Sequence, residues 1–99
     1  MKPKISVIMS VYNCMPYLEQ AVESVHNQTY KNFEFIIVDD ASTDGTLKYL
    51  KSLKDRRIKL SINKINLGLA ASLNIALRQA QVDYIARIDA DDVSLPRRL

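Results

Sequence analysis

The run Ile85-Ala86-Arg87-Ile88-Asp89-Ala90-Asp91-Asp92 ends an apolar-rich segment with three acids in four positions. Clustered carboxylates repel, so the group costs stability unless a cation sits among them. With only oxygen donors and no His or Cys beside them, Asp89 and Asp91 suit a hard divalent ion such as Mg²⁺ or Mn²⁺. Both reach one ion if the chain turns at Ala90. A lone Asp-x-Asp is more often a solvated acidic turn, but a second acidic pair, Asp39-Asp40, also ends an apolar run. That coincidence favours a site.

The elements that position these acids can be read in chain order. Ile5 to Val11 is apolar and rich in branched residues, which predicts a strand buried on both faces. Tyr12-Asn13 breaks it, and Pro16 suits a first helical turn. Leu18, Ala21, Val22 and Val25 recur at helical spacing, with the helix fading near Gln28 and His26 on the surface without a role. Phe35-Ile36-Ile37-Val38 reads as a central parallel strand ending at Asp39-Asp40. The following Ser42, Thr43 and Asp44 are capping candidates for a helix with Leu47, Leu50 and Leu53 on its apolar stripe. Ile58, Leu60 and Ile62 alternate with polar residues, as expected of an edge strand with one wet face. Asn66-Leu67-Gly68 signals a turn. Leu69, Leu73, Ala76, Leu77 and Ala80 then mark a third helix, and Val82 to Ile88 a fourth strand.

The result is a single α/β domain over residues 1–99: a Rossmann-like, three-layer β-α-β-α-β-α-β arrangement with helices on both faces of a parallel sheet. The wet third strand belongs at an edge and the apolar first two near the centre, which predicts spatial order 3-2-1-4. Ligands of such sheets bind beyond the carboxyl ends of the strands, at the switch point. Tyr12, Asp40 and Asp91 all lie at such ends. Tyr12 can pack on a flat base, Asp40 can accept from a base N–H, and a metal at Asp91 would neutralise charge on a departing diphosphate. Neither G-x-x-x-x-G-K-[ST] nor G-x-G-x-x-G occurs, which argues against P-loop enzymes and dinucleotide dehydrogenases.

Composition sets the remaining bounds. The chain has 99 residues and a formal net charge of +3, too mild by itself to imply nucleic acid or a membrane surface. Lys48, Lys51, Lys54, Arg56, Arg57 and Lys59 read as a solvated helix face and its exit turn. Cys14 is the only cysteine, so no intrachain disulfide forms, and a reducing, cytoplasmic setting is expected. It reads as a small buried or loop residue rather than a nucleophile. No apolar run is long enough to span a membrane, though a longer form could be membrane-peripheral.

Taken together, the ordered motifs resemble the N-terminal half of family 2 glycosyltransferases with the GT-A fold. The matching stretches are Ser6 through Asn13, Ser24 through Tyr30, Val38 through Thr46, Asn66-Leu67-Gly68 with Asn74, and Asp83 through Asp92 with Leu95-Pro96. The resemblance implies a nucleotide-sugar donor, with uracil the favoured base, and an inverting transfer to a saccharide or lipid-linked acceptor in cell-surface polysaccharide synthesis. It assigns Tyr12 and Asp40 to the base with Ser10 and Asp39 beside them, Asp91 to the metal, and Asp89 to the metal and sugar-nucleotide. Many relatives carry a basic residue where Leu73 stands, so a phosphate contact from there is not carried over. The general base of inverting members lies well beyond the Asp-x-Asp, past Leu99, and the residues to Leu99 alone are expected to transfer little sugar. Asp44 and Asp83 read as a cap and a turn residue instead.

Two other classes compete with this reading. A non-catalytic nucleotide- or metal-binding module would hold nucleotide without turnover. A receiver-like signalling domain would need an acid pair after the first strand, where Ser10-Val11-Tyr12-Asn13 stands instead, and a lysine after a fifth strand. The 3-2-1-4 order also leaves the fourth strand with an open edge, from which self-association is expected.

Overall fold

The computed structural model describes residues 3–15, 17–80, 82 and 84–90. Pro16, Asp83, Asp91, Asp92, Leu95 and Pro96, each given a reading above, lie outside them. In order, the elements are β1 (Ile5–Val11), α1 (Tyr17–His26), β2 (Phe33–Asp39), α2 (Thr46–Lys51), β3 (Ile58–Ile62), α3 (Leu69–Gln79) and β4 (Tyr84–Arg87). The strands form one parallel sheet in the order β3-β2-β1-β4. This is the expected order, and its cause is the one anticipated: β1 and β2 carry apolar residues for both faces, whereas β3 does not.

Alternate strand residues serve two separate cores. Val7, Met9 and Val11 of β1 and Phe33, Phe35 and Ile37 of β2 join Leu18, Ala21, Val22 and Val25 of α1 and Leu50 of α2. On the opposite face, Ile8, Ile36 and Val38 meet Ala76, with Leu73, Ile75 and Ala80 packed against them. The sheet therefore lies between α1 and α2 on one side and α3 on the other. The predicted stripe of α1 is buried in full.

Several local expectations change. In α3 the buried residues are Ser72 and Ala76, while Leu69 is 54% and Leu77 44% exposed. Small side chains one turn apart let α3 approach β1 and β2 closely, and the larger leucines are displaced to its flanks. Strand β4 spans four residues rather than Val82 to Ile88, although Ile88 N–H still donates to the Ile8 carbonyl at 3.1 Å. Strand β2 begins two residues earlier than the apolar run, so Glu34 lies buried inside it. Its carboxylate is satisfied by the Ser6 hydroxyl and by Lys59 Nζ at 2.7 Å, because a buried charge must be paired.

The basic cluster is also more than a solvated face. Arg57 donates to Asp55 through Nε and Nη2, the latter at 2.7 Å, and its guanidinium lies 4.2 Å from the Phe33 ring centroid. His26, assigned no role from the sequence, places Nδ1 2.8 Å from the same Asp55 carboxylate. Arg57 holds the Asp55 carboxyl well below the usual carboxylate range, against the opposing cost of burial. The cluster joins the end of α1 to the start of β3.

This arrangement has an acid consequence. Asp55, Asp40 and Asp44 all have folded-state pKa values below their ordinary ones. A depressed carboxylate contributes stability that is complete above its unfolded pKa, about 3.9, and lost as pH falls through the folded value. The urea midpoint is therefore expected to be flat from neutrality to about pH 5 and to fall steeply below about pH 4. In an Asp55→Asn variant the midpoint should start lower and fall less steeply. An identical acid slope in that variant would remove Asp55 from the account.

Candidate functional site

The carboxyl ends of β2 and β4 flank that of β1, and the chain leaves β1 and β2 through sharp turns. After β1, Tyr12 is 49% exposed and Asn13 adopts a left-handed φ of 48°. After β2, Asp40 is followed by Ala41 at φ 62°. Asparagine tolerates that region, but alanine pays roughly 1–2 kcal/mol for it. Backbone strain of this kind persists where the surroundings enforce it, often at ligand sites.

The two acids at the end of β2 diverge. Asp39 pairs in register with Val11, which places its side chain on the α1–α2 face. There its Oδ2 accepts from Ser42 N–H at 3.3 Å, while Oδ1 is buried with no hydrogen-bond partner among the described residues. Asp40 turns to the α3 side and is 2% exposed. Its Oδ1 accepts from Leu67 N–H at 2.7 Å and Asn63 Nδ2 at 2.9 Å, and its Oδ2 accepts from Gly68 N–H at 2.9 Å. Burial alone would raise its pKa, but the hydrogen bonds from Leu67, Asn63 and Gly68 outweigh burial and hold it below the usual range. Gly68 sits at φ 92°, a conformation that favours glycine, and so presents its N–H to the carboxylate. The Asn66-Leu67-Gly68 turn thus doubles as a clamp for Asp40, a role its sequence signal did not reveal.

At the β1–β4 junction, Ser10 and Asp89 share a crevice of about 360 Å³, lined also by Cys14, Tyr17, Leu69 and Arg87. This is the switch point where open α/β sheets bind ligands. Arg87 Nε donates to Asp89 Oδ1 at 3.3 Å, and both side chains are about half exposed, so the pair adds little stability and leaves the carboxylate accessible. Tyr12, Asp39 and Asp40 do not line this crevice but close the neighbouring strand ends. A larger cavity of about 430 Å³ opens elsewhere, between α1, α2 and the start of β3 over Val22, Phe35, Tyr49 and Ile58. Its mainly apolar lining offers no array of convergent donors for phosphate.

Among the described residues the crevice offers one donor of the type a hard divalent ion takes. Asp89 contributes an accessible carboxylate, and hard divalent ions take oxygen ligands. No group of three His, Cys, Asp or Glu gathers among the described residues; Asp91, the expected metal ligand, lies outside them. Sequence reasoning also passed over Asn13. Its Oδ1 accepts from Thr43 N–H at 2.7 Å and from Asp44 N–H at 3.2 Å. The one clue in the sequence was an Asn directly after a strand-ending Tyr.

Against known proteins, the profile of Glycosyl transferase family 2 matches residues 6–99. The chain is 56% identical over 100 residues to a Bacillus subtilis (strain 168) protein named "Putative glycosyltransferase EpsE", a match that covers 98% of this chain and 36% of that one. Among solved structures, S. aureus TarS 1-349 in complex with UDP superposes with a TM-score of 0.88 at 32% identity, covering 95% of this chain and 29% of that 1-349 chain. A mannosyltransferase from Pyrobaculum calidifontis, in complex with GDP-Man and Mn²⁺, gives a TM-score of 0.78 at 31% identity, covering 92% and 28%. The chain thus spans about a third of the length of each of these three proteins.

Proposed function

The chain belongs to Glycosyl transferase family 2, and on that footing we propose that it forms the donor-binding part of an enzyme transferring a sugar from a nucleoside diphosphate. The observation that carries this reading is the convergence of a half-exposed Tyr12, the clamped Asp40, and the Ser10–Asp89 crevice at adjoining strand ends. In this proposal Tyr12 packs on the base, Asp40 and Asp39 order the base end, and Ser10 lies toward the ribose and phosphates. Asp89 and Asp91 hold a divalent ion on the diphosphate, where the ion supplies charge neutralisation as the leaving group departs.

UDP is the proposed nucleotide, with Mn²⁺ or Mg²⁺ as the ion. TarS carries UDP in one solved structure, whereas the mannosyltransferase carries GDP-Man with Mn²⁺, so the fold serves more than one base. Inverting transfer to a saccharide or lipid-linked acceptor, in the cytoplasm, belongs to the same proposal, as does a general base beyond Leu99. No described helix is long and apolar enough to cross a membrane. The expected self-association through β4 is part of it too, resting on a strand that pairs with β1 on one side.

Calorimetric titration with UDP, GDP and CDP, each with and without Mn²⁺, tests the reading. UDP binding that strengthens with Mn²⁺ is expected. Indifference to nucleotide and metal alike would overturn it. For a protein that also carries the proposed general base, nucleotide binding without any sugar transfer or hydrolysis, given donor and a panel of acceptors, would favour the non-catalytic module.

A further inference from the structure

We infer that Asn13 is a positioning residue, which fixes the base-packing ring of Tyr12 by tying the exit of β1 to the exit of β2. The inference rests on the base-site reading above, but it concerns a residue that reading does not place against the ligand.

Residues 13 and 14 make five hydrogen bonds to the 42–46 segment. Asn13 N–H donates to Ser42 Oγ at 3.0 Å and Asn13 Nδ2 to Thr43 Oγ1 at 3.2 Å. Asn13 Oδ1 accepts from the successive N–H groups of Thr43 and Asp44 at 2.7 and 3.2 Å. Cys14 N–H donates to the buried Thr46 hydroxyl at 3.1 Å. On the other side of Tyr12, the Val11 carbonyl accepts from Asp40 N–H at 2.8 Å. The backbone of a half-exposed tyrosine is thus pinned to the second strand exit both before and after the ring.

Such anchoring is more than the sheet requires. The β1–β2 ladder is complete at Val11↔Asp39, and Asn13 itself is exposed, so its side chain buries nothing in either core. What it fixes is the direction in which the chain leaves β1. The left-handed φ of 48° suits asparagine among residues with a side chain, and the amide supplies acceptor and donor at once. A ring set on a rigid strand exit binds a flat base without first losing backbone freedom.

A substitution series separates the backbone requirement from the side-chain bridge. Asn13→Gly keeps access to positive φ and removes the bridge; Asn13→Ala removes both. Asn13→Asp keeps the two acceptor bonds, and the Thr43 hydroxyl can turn to donate to it. With UDP and Mn²⁺ as probe, Asn13→Gly and Asn13→Ala are expected to weaken binding by roughly tenfold or more, and Asn13→Asp to restore it to within about threefold of wild type. Inorganic pyrophosphate with Mn²⁺ should bind all variants alike, because only the base end is disturbed; a general loss of fold would weaken both probes. Thr43→Val, which removes the Nδ2 acceptor, should give a smaller loss confined to UDP, and it decides the question with Asn13→Gly should Asn13→Ala not fold. Wild-type affinity for UDP in Asn13→Gly, or equal losses for UDP and pyrophosphate, would overturn the inference. A wild-type protein that binds no nucleoside diphosphate would instead sink the base-site reading.

Discussion

Replacing Asp91 by asparagine is expected to weaken Mn²⁺-dependent UDP binding by at least about a hundredfold while leaving the unfolding midpoint unchanged or slightly raised. Asp91 stands two residues beyond Asp89, whose carboxylate is accessible at the crevice beside Ser10. In the proposed site an amide would serve a hard cation poorly, so the ion would lose its protein anchor and the diphosphate the charge that holds it. Without metal, the change removes one member of a repelling cluster, which is why folding should not suffer. Asp89→Asn should cost less binding, because that carboxylate already shares its charge with Arg87. Titrations with and without Mn²⁺ read both variants. An Asp91→Asn protein with wild-type affinity would remove Asp91 from the site.

For Asp40, the largest expected effect is on stability. Asp40→Ala strands three donors, from Leu67, Gly68 and Asn63, and should cost about 3 kcal/mol or more, given about 1–3 kcal/mol for each buried group left unpaired. Asp40→Asn retains an acceptor oxygen but turns an NH₂ toward a backbone N–H, for a cost of about 1–3 kcal/mol. Denaturant midpoints measure both. A carboxylate offers about four lone-pair directions, three of which these donors occupy, so a base N–H must share the group rather than claim it. Folded Asp40→Asn protein should accordingly lose more affinity for a base with an N–H donor than for one without. Equal losses for all bases would mean that Asp40 serves the clamp alone, and an unaltered midpoint in Asp40→Ala would dismiss the clamp.

The order of elements, the 3-2-1-4 sheet and the placing of Ser10, Tyr12, Asp39, Asp40 and Asp89 at carboxyl strand ends were legible in the chain. They follow from local patterns: a branched, mainly apolar run in Ile5–Val11 broken only by Ser6 and Ser10, a continuous apolar run in Phe35–Val38, alternation in Ile58–Ile62, and acids placed where strands end. Periodicity reports which residues are apolar, and the period of two in strands and 3.6 in helices converts that into faces. It does not report how closely a helix will sit. The burial of Ser72 and Ala76 with Leu69 and Leu77 left outside came from the seat of α3 on the sheet, where small side chains permit close approach.

Polar partnerships across the chain were beyond reach for a related reason. Asp39 and Asp40 are adjacent and chemically identical, yet the pleat sends one toward α1 and α2 and the other to the turn before α3. His26 and Arg57 meet at Asp55, Glu34 finds Lys59, and Asn13 finds Thr43 and Asp44. Hydrogen bonds are short and directional, so a partner is set by where separated segments come to rest, to within a fraction of an ångström. The sequence by itself determined which groups could do chemistry and at which end of the sheet they would gather. Only the tertiary structure decided which of them face the crevice and which are consumed in holding it.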